Sequence, residues 1–126
     1  MATVKNEKTG QRDLDYSAWH RTLGTAYLTE DVNFVEYRVG RGIVAVIGVT
    51  GRLNDEGHIN NSRAIIWNRT PLEREILQTI GGALNVPAYF VMHTTDLSLF
   101  HVHTLPDLVN FQRMNQAQYG AFIRGL

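Results

Sequence analysis

Three sets of residues in this chain could do chemistry. The first is His101-Val102-His103. On a strand, alternate side chains share a face, so both imidazoles point one way and Phe100 and Val102 point the other, toward a core. Two histidines at i and i+2 can begin a zinc or other transition-metal site. His93, on the preceding apolar run, is the third-ligand candidate. No motif shows a further ligand, so a polar strand face or a subunit interface is the plainer alternative. The second set is acidic. Glu30, Asp31 and Glu36 lie before or on one expected strand, and Asp55, Glu56 and His58 follow the next. Carboxylates suit hard cations such as Mg²⁺ or Mn²⁺. Asp31 and Glu36 fall on opposite sides by strand parity, so one strand cannot bring both to one ion. Asp31 is a candidate metal ligand; clustered acids beside a strand are, on the plainer reading, solvated surface residues.

The third set is basic. Of the twelve Lys and Arg residues only Lys5 and Lys8 are lysine, and six of the arginines lie between Arg38 and Arg74. Arginine makes bidentate contacts to phosphate. Arg38, Arg41, Arg52, Arg63 and Arg69 are therefore candidates for nucleic-acid binding, against the plainer reading of solubilising residues on turns and helix faces. The formal net charge is zero, so no global basic field steers an anionic partner.

Other chemistries find no support. Without cysteine there is no disulfide, thiolate metal site or thiol nucleophile. Gly-x-Ser-x-Gly is absent, and neither Gly40-Arg41-Gly42 nor Gly51-Arg52 makes a phosphate loop. Trp19, Tyr37, Trp67 and Tyr89 have core-like spacing rather than that of a stacking platform. No apolar run approaches the roughly 20 residues that span a bilayer, and Met1 to Arg12 carries no hydrophobic signal region. The expectation is a cytoplasmic protein without a membrane partner. At 126 residues, with 44% apolar and 19% charged residues, the chain reads as a flexible tail over 1–12 and one domain over 13–126.

The elements that position these residues follow from pattern. Tyr16, Trp19 and Leu23 place an apolar stripe on a helix from Leu14 to Leu23, capped by Asp13 or Asp15. Asp31–Arg38 and Ile43–Thr50 read as two strands joined at Gly40-Arg41-Gly42. The second is the most apolar run in the chain and reads as a central strand, interrupted by Gly48. Gly51–Asn61 reads as a polar loop. Ser62–Asn68 is ambiguous between strand and helical turn. Thr70, Pro71 and Glu73 signal a capped helix with Leu72, Ile76, Leu77, Ile80 and Leu84 as its buried stripe. Pro87–His93 and Leu99–Thr104 read as a hairpin about Thr95–Ser98. Asn115 and Gln118 open a last helix with Tyr119, Phe122, Ile123 and Leu126 on its apolar face. The class is α/β, a mixed central sheet flanked by helices.

Helix, hairpin, helix and strand in this order resemble the PD-(D/E)XK (restriction-endonuclease-like) nuclease superfamily. The segments that carry the likeness are Asp31-Val32-Asn33-Phe34-Val35-Glu36-Tyr37, then Val44-Ala45-Val46-Ile47-Gly48-Val49-Thr50. The helix Leu72–Leu84 and Val86-Pro87-Ala88-Tyr89-Phe90-Val91 continue it. The resemblance covers about residues 14 to 104 and implies an αβββαβ core. It also implies a strand Asp at Asn33 (or, shifted by two, Asp31), a Glu at Gly48 and a Lys at Thr50. In active members two such carboxylates hold a hard cation that activates water, and the Lys assists. Here the positions are degenerate. The implied function is a nuclease-like domain that has lost hydrolysis, with no resident cofactor, and that serves in DNA binding or assembly. The alternatives are an active Mg²⁺- or Mn²⁺-dependent endonuclease or resolvase with rearranged ligands, and a structural protein forming a homodimer through the fourth strand or the last helix. A viral or mobile-element origin suits a single domain of this size and would put it in the host-cell cytoplasm.

Overall fold

The structure is a computed structural model that describes residues 13–26 and 32–126. The elements are α1 (Leu14–Arg21), β1 (Phe34–Arg38), β2 (Gly42–Leu53), α2 (Glu56–Arg69), α3 (Pro71–Leu84), β3 (Ala88–Thr94), β4 (Phe100–Thr104), β5 (Gln112–Met114) and α4 (Gln116–Arg124). The five strands form one mixed sheet in the order β1-β2-β3-β4-β5. All neighbours are antiparallel except β2 and β3, which are parallel and joined by the α2–α3 crossover. The α/β class with flanking helices holds.

The register sorts the side chains. Val46 pairs with Ala88, Phe90 with His103 and Met92 with His101, so these residues share one face. That face packs Val46, Phe90 and Met92 against Ile59 and Trp67 of α2 and Leu77 of α3. The other face carries Ile47, Val91, Phe100 and Val102 and receives Tyr119, Phe122 and Ile123 of α4. Tyr119 stacks flat on Phe100 with centroids 4.2 Å apart, and Phe122 meets Tyr89 edge-on at 5.0 Å. Burial and the nearby Glu36 charge push the Tyr119 phenol up to about 12. The central strands are thus buried on both faces, which explains why β2 and β3 read as continuous apolar runs.

Several expectations need correction. Residues 51–61 are not a loop: β2 runs on to Leu53, and α2 begins at Glu56 behind Asp55, whose carboxylate accepts the His58 N–H at 2.8 Å. Ser62–Asn68 is helix, so α2 stands where the αβββαβ order would put a third strand. Thr70 is the N-cap residue of α3 with Pro71 behind it, as expected, but the capping bond is not made: the Thr70 hydroxyl donates to the Ile66 carbonyl at 2.8 Å. The capping box of α4, by contrast, is formed by Asn115 and Gln118 as expected. Asp13 caps α1, but none of that helix is buried, and Tyr16, Trp19 and Leu23 are exposed. β4 is paired on both edges, by β3 and β5, so it offers no edge to a second copy. The expected tail, residues 1–12, lies outside the described residues, as do Glu30 and Asp31.

Candidate functional site

The hairpin site was expected at Asn33, Gly48 and Thr50. Asn33 enters β1, and its side-chain carbonyl accepts the Val49 N–H at 2.8 Å. That oxygen serves the backbone of the adjoining strand. Gly48 lies under α3. A Cβ built on it would stand 2.8 Å from Leu77 Cδ1, 3.0 Å from Glu73 Oε1 and 3.3 Å from Phe90 Cδ2. A side chain here would have to displace the ends of the Leu77, Glu73 and Phe90 side chains; the glycine lets the helix lie close on the strand. Thr50, two residues on, is half-buried. Asp31, the carboxylate expected nearest this point, lies outside the described residues.

The five arginines do not form one surface. Arg38 NH2 donates to the Ile123 carbonyl at 2.6 Å, and Arg41 NH1 donates to that of Leu126 at 2.9 Å. Both are tied to the C-terminal end of α4. Arg52 is at the other end of β2, in a left-handed conformation with φ 65°. Arg69 ends α2. Arg52 and Arg69 are exposed and make no side-chain hydrogen bond to a described residue. Arg63 belongs to a different cluster.

That cluster is built on β4. His101 and His103 do share a face, but it is a core face: both are fully buried beneath α2. His93 is not with them. It pairs with Phe100 and lies on the α4 side of the sheet, its Nδ1 2.8 Å from the Thr94 carbonyl. The three-histidine set is therefore split by strand parity, and no group of three or more His, Asp or Glu among the described residues is gathered to hold a metal ion.

Instead, His101 is bracketed by α2. Its Nδ1 is 2.5 Å from Arg63 NH2 and its Nε2 is 2.8 Å from Glu56 Oε2. Arginine can only donate. Nδ1 must therefore accept, which puts the imidazole proton on Nε2, where it is donated to Glu56. Burial holds His101 below its usual pKa, partly offset by the hydrogen bond to Glu56. The ring is thus neutral at pH 7, and its contact with Glu56 is a hydrogen bond rather than an ion pair. The same Glu56 oxygen accepts Arg113 Nε at 2.6 Å. These bonds, His101 first, lower the Glu56 pKa. Phe111 closes the cluster, stacked on His101 at 4.1 Å and beneath the Arg63 guanidinium at 4.3 Å.

His103 is different. Neither ring nitrogen has a hydrogen-bond partner among the described residues, and Trp67 meets the ring edge-on at 4.8 Å. Burial first, then the Arg63 charge, depress its pKa to about 4. The backbones of Asp107 and Asn110 pull weakly the other way without reaching hydrogen-bond geometry. His101 has no lone pair to give, and His103 has no polar group to act on.

Glu56 stood among the acidic candidates but not with His101, and Arg113 carried no sequence signal. The parity of β4 pointed to a shared histidine face, but only α2, which read as a loop, brings Glu56 to it. No protein-family model matches the chain, and no curated protein or solved structure matches it either.

Proposed function

We propose that this is a nuclease-like domain that does not hydrolyse phosphodiesters at its hairpin and acts by binding, to DNA or to further copies of itself. The observation that carries the reading is the filled space at Gly48. Leu77 and Phe90 stand where a strand carboxylate would project, and Asn33 is committed to the Val49 N–H. Hydrolysis needs two carboxylates converging on a cation. The described residues of the hairpin present none there.

For DNA, the exposed Arg52 and Arg69 are the favoured phosphate contacts, with Arg38, Arg41 and Arg63 already engaged within the chain. Binding through so few cations is weak and has a shallow salt dependence, about one unit of log–log slope per phosphate neutralised. Titrating labelled single-stranded, duplex and branched DNA at two salt concentrations tests this. Salt-sensitive binding reduced in Arg52→Ala and Arg69→Ala supports it. No binding at low salt to any of the three sinks the DNA half.

One observation favours a second reading. Glu73 Oε1 stands 3.0 Å from the Cβ position of Gly48, so a helix carboxylate reaches the space the strand lacks. An active enzyme with rearranged ligands would use Glu73 with Mg²⁺ or Mn²⁺. Metal-dependent cleavage abolished by Glu73→Gln would establish that reading over the first.

A further inference from the structure

The sheet has two edges, and they differ. β5 is three residues long and presents Gln112 and Arg113, which blunts it against pairing. β1 is longer, five residues, and carries Glu36 and Arg38 on one side with a register shift against β2 at Glu36/Tyr37. No strand among the described residues pairs with its outer edge. It is bounded by exposed apolar side chains, with Val35 at 49%, Tyr37 at 61% and Val39 at 94% of full exposure. Val35 and Tyr37 point to the α2–α3 side, since Val35 pairs with Val46. Glu36 and Arg38 point to the α4 side, where Arg38 reaches Ile123.

We propose that β1 pairs with β1 of a second copy, antiparallel about a twofold axis through Tyr37, extending two five-stranded sheets into one of ten. The charges select this register. With Tyr37 on the axis, Glu36 of each copy lies opposite Arg38 of the other, and this happens twice per dimer. Opposite charges directly across an antiparallel pair attract, and like charges repel. On the other side of the ribbon Tyr37 meets Tyr37, and Val35 comes beside Val39. With Val35 on the axis, Glu36 would instead face Phe34 and the charge match would be lost. A self-complementary patch of this kind is what a twofold interface requires. The 3.4 Å contact between Arg38 and Glu36 within one chain then becomes part of a four-membered alternating network. The inference rests on the assembly half of the reading above and specifies its surface.

Sedimentation equilibrium of the full chain over a wide concentration range tests it. The wild type is expected to approach twice 14.3 kDa. Glu36→Arg and Arg38→Glu each create two like-charge pairs and should each weaken the dimer roughly ten-fold. Mixed in equal amounts, the two variants match every charge, so heterodimers should form with near wild-type affinity. Tyr37→Lys, at a position 61% exposed, should also give monomer with unchanged circular dichroism. A wild type that stays at 14.3 kDa throughout overturns the proposal. So does a dimer indifferent to all three substitutions, or a mixture that fails to recover. A monomer that still binds DNA without cutting it would sink this interface and leave the preceding reading standing.

Discussion

His103 should make the fold sensitive to mild acid. Its ring is fully buried, without a hydrogen-bond partner among the described residues, beside the Arg63 guanidinium. Its pKa is lowered from 6.5 to about 4. The unfolded chain therefore binds a proton near pH 6.5 that the folded chain refuses until about pH 4. Stability is full above the unfolded value and falls as pH drops through this window. Its slope approaches about 1.4 kcal/mol per pH unit, for a total of about 3 kcal/mol. His101 is shifted in the same direction and adds to the loss. The lowered carboxylates Glu56, Asp96 and Asp107 also lose their contribution in acid, but only below their own unfolded values of 4.5, 3.8 and 3.8. The window between pH 6 and pH 4.5 thus belongs mainly to the histidines. Urea unfolding followed by the fluorescence of buried Trp67 at several pH values reads it directly. In His103→Phe, which keeps the aromatic contact and cannot titrate, the slope should fall by up to about 1.4 kcal/mol per pH unit. Wild-type stability that is flat from pH 7 to 4.5, or an unchanged slope in His103→Phe, would refute the reasoning.

Two further substitutions probe the packing of α3, and one the α2–β4 cluster. Gly48→Ala pushes against Leu77 and Glu73 and should cost about 1–3 kcal/mol in urea unfolding. Gly82→Ala, in the last turn of α3 and with nothing within 4 Å of its Cβ, should instead stabilise by about 0.5–1 kcal/mol. The opposite signs are the test: equal effects would mean that Gly48 is not held under the helix. Glu56→Ala removes the acceptor of the buried His101 Nε2–H and the partner of Arg113. It should cost about 1–3 kcal/mol, and a neutral result by thermal denaturation would place water, not Glu56, on that nitrogen.

The strands that carry β-branched runs, β2 and β3, were legible in the sequence because burial on both faces leaves an unbroken apolar signal. The β3–β4 hairpin and the cap of α4 were legible because Asp96, Asn115 and Gln118 act locally, on groups two or three residues away. α2 was not. Gly57, Asn60, Asn61 and Ser62 are weak helix formers, and only Ile59 and Trp67 of its residues are buried. The helix is held by the sheet it covers, a tertiary fact that no local pattern states. Missing it hid the site as well, since Glu56 and Arg63 reach His101 only from a helix. The alternation of His101 and His103 showed that they share a face, but not that α2 makes it a core face. His93 was misplaced because its parity depends on the β3–β4 register, which pairs it with Phe100. Gly48 stood out in the sequence for a sound reason, and the structure gives the cause as the approach of Leu77.

On the proposed reading no hydrolytic metal site forms at the hairpin. Incubating the purified full chain with labelled single-stranded, duplex and branched DNA in Mg²⁺ and in Mn²⁺ tests it most directly. All three substrates should remain intact in both metals, for the wild type and for Glu73→Gln alike. Metal-dependent cleavage by the wild type that Glu73→Gln abolishes would contradict it.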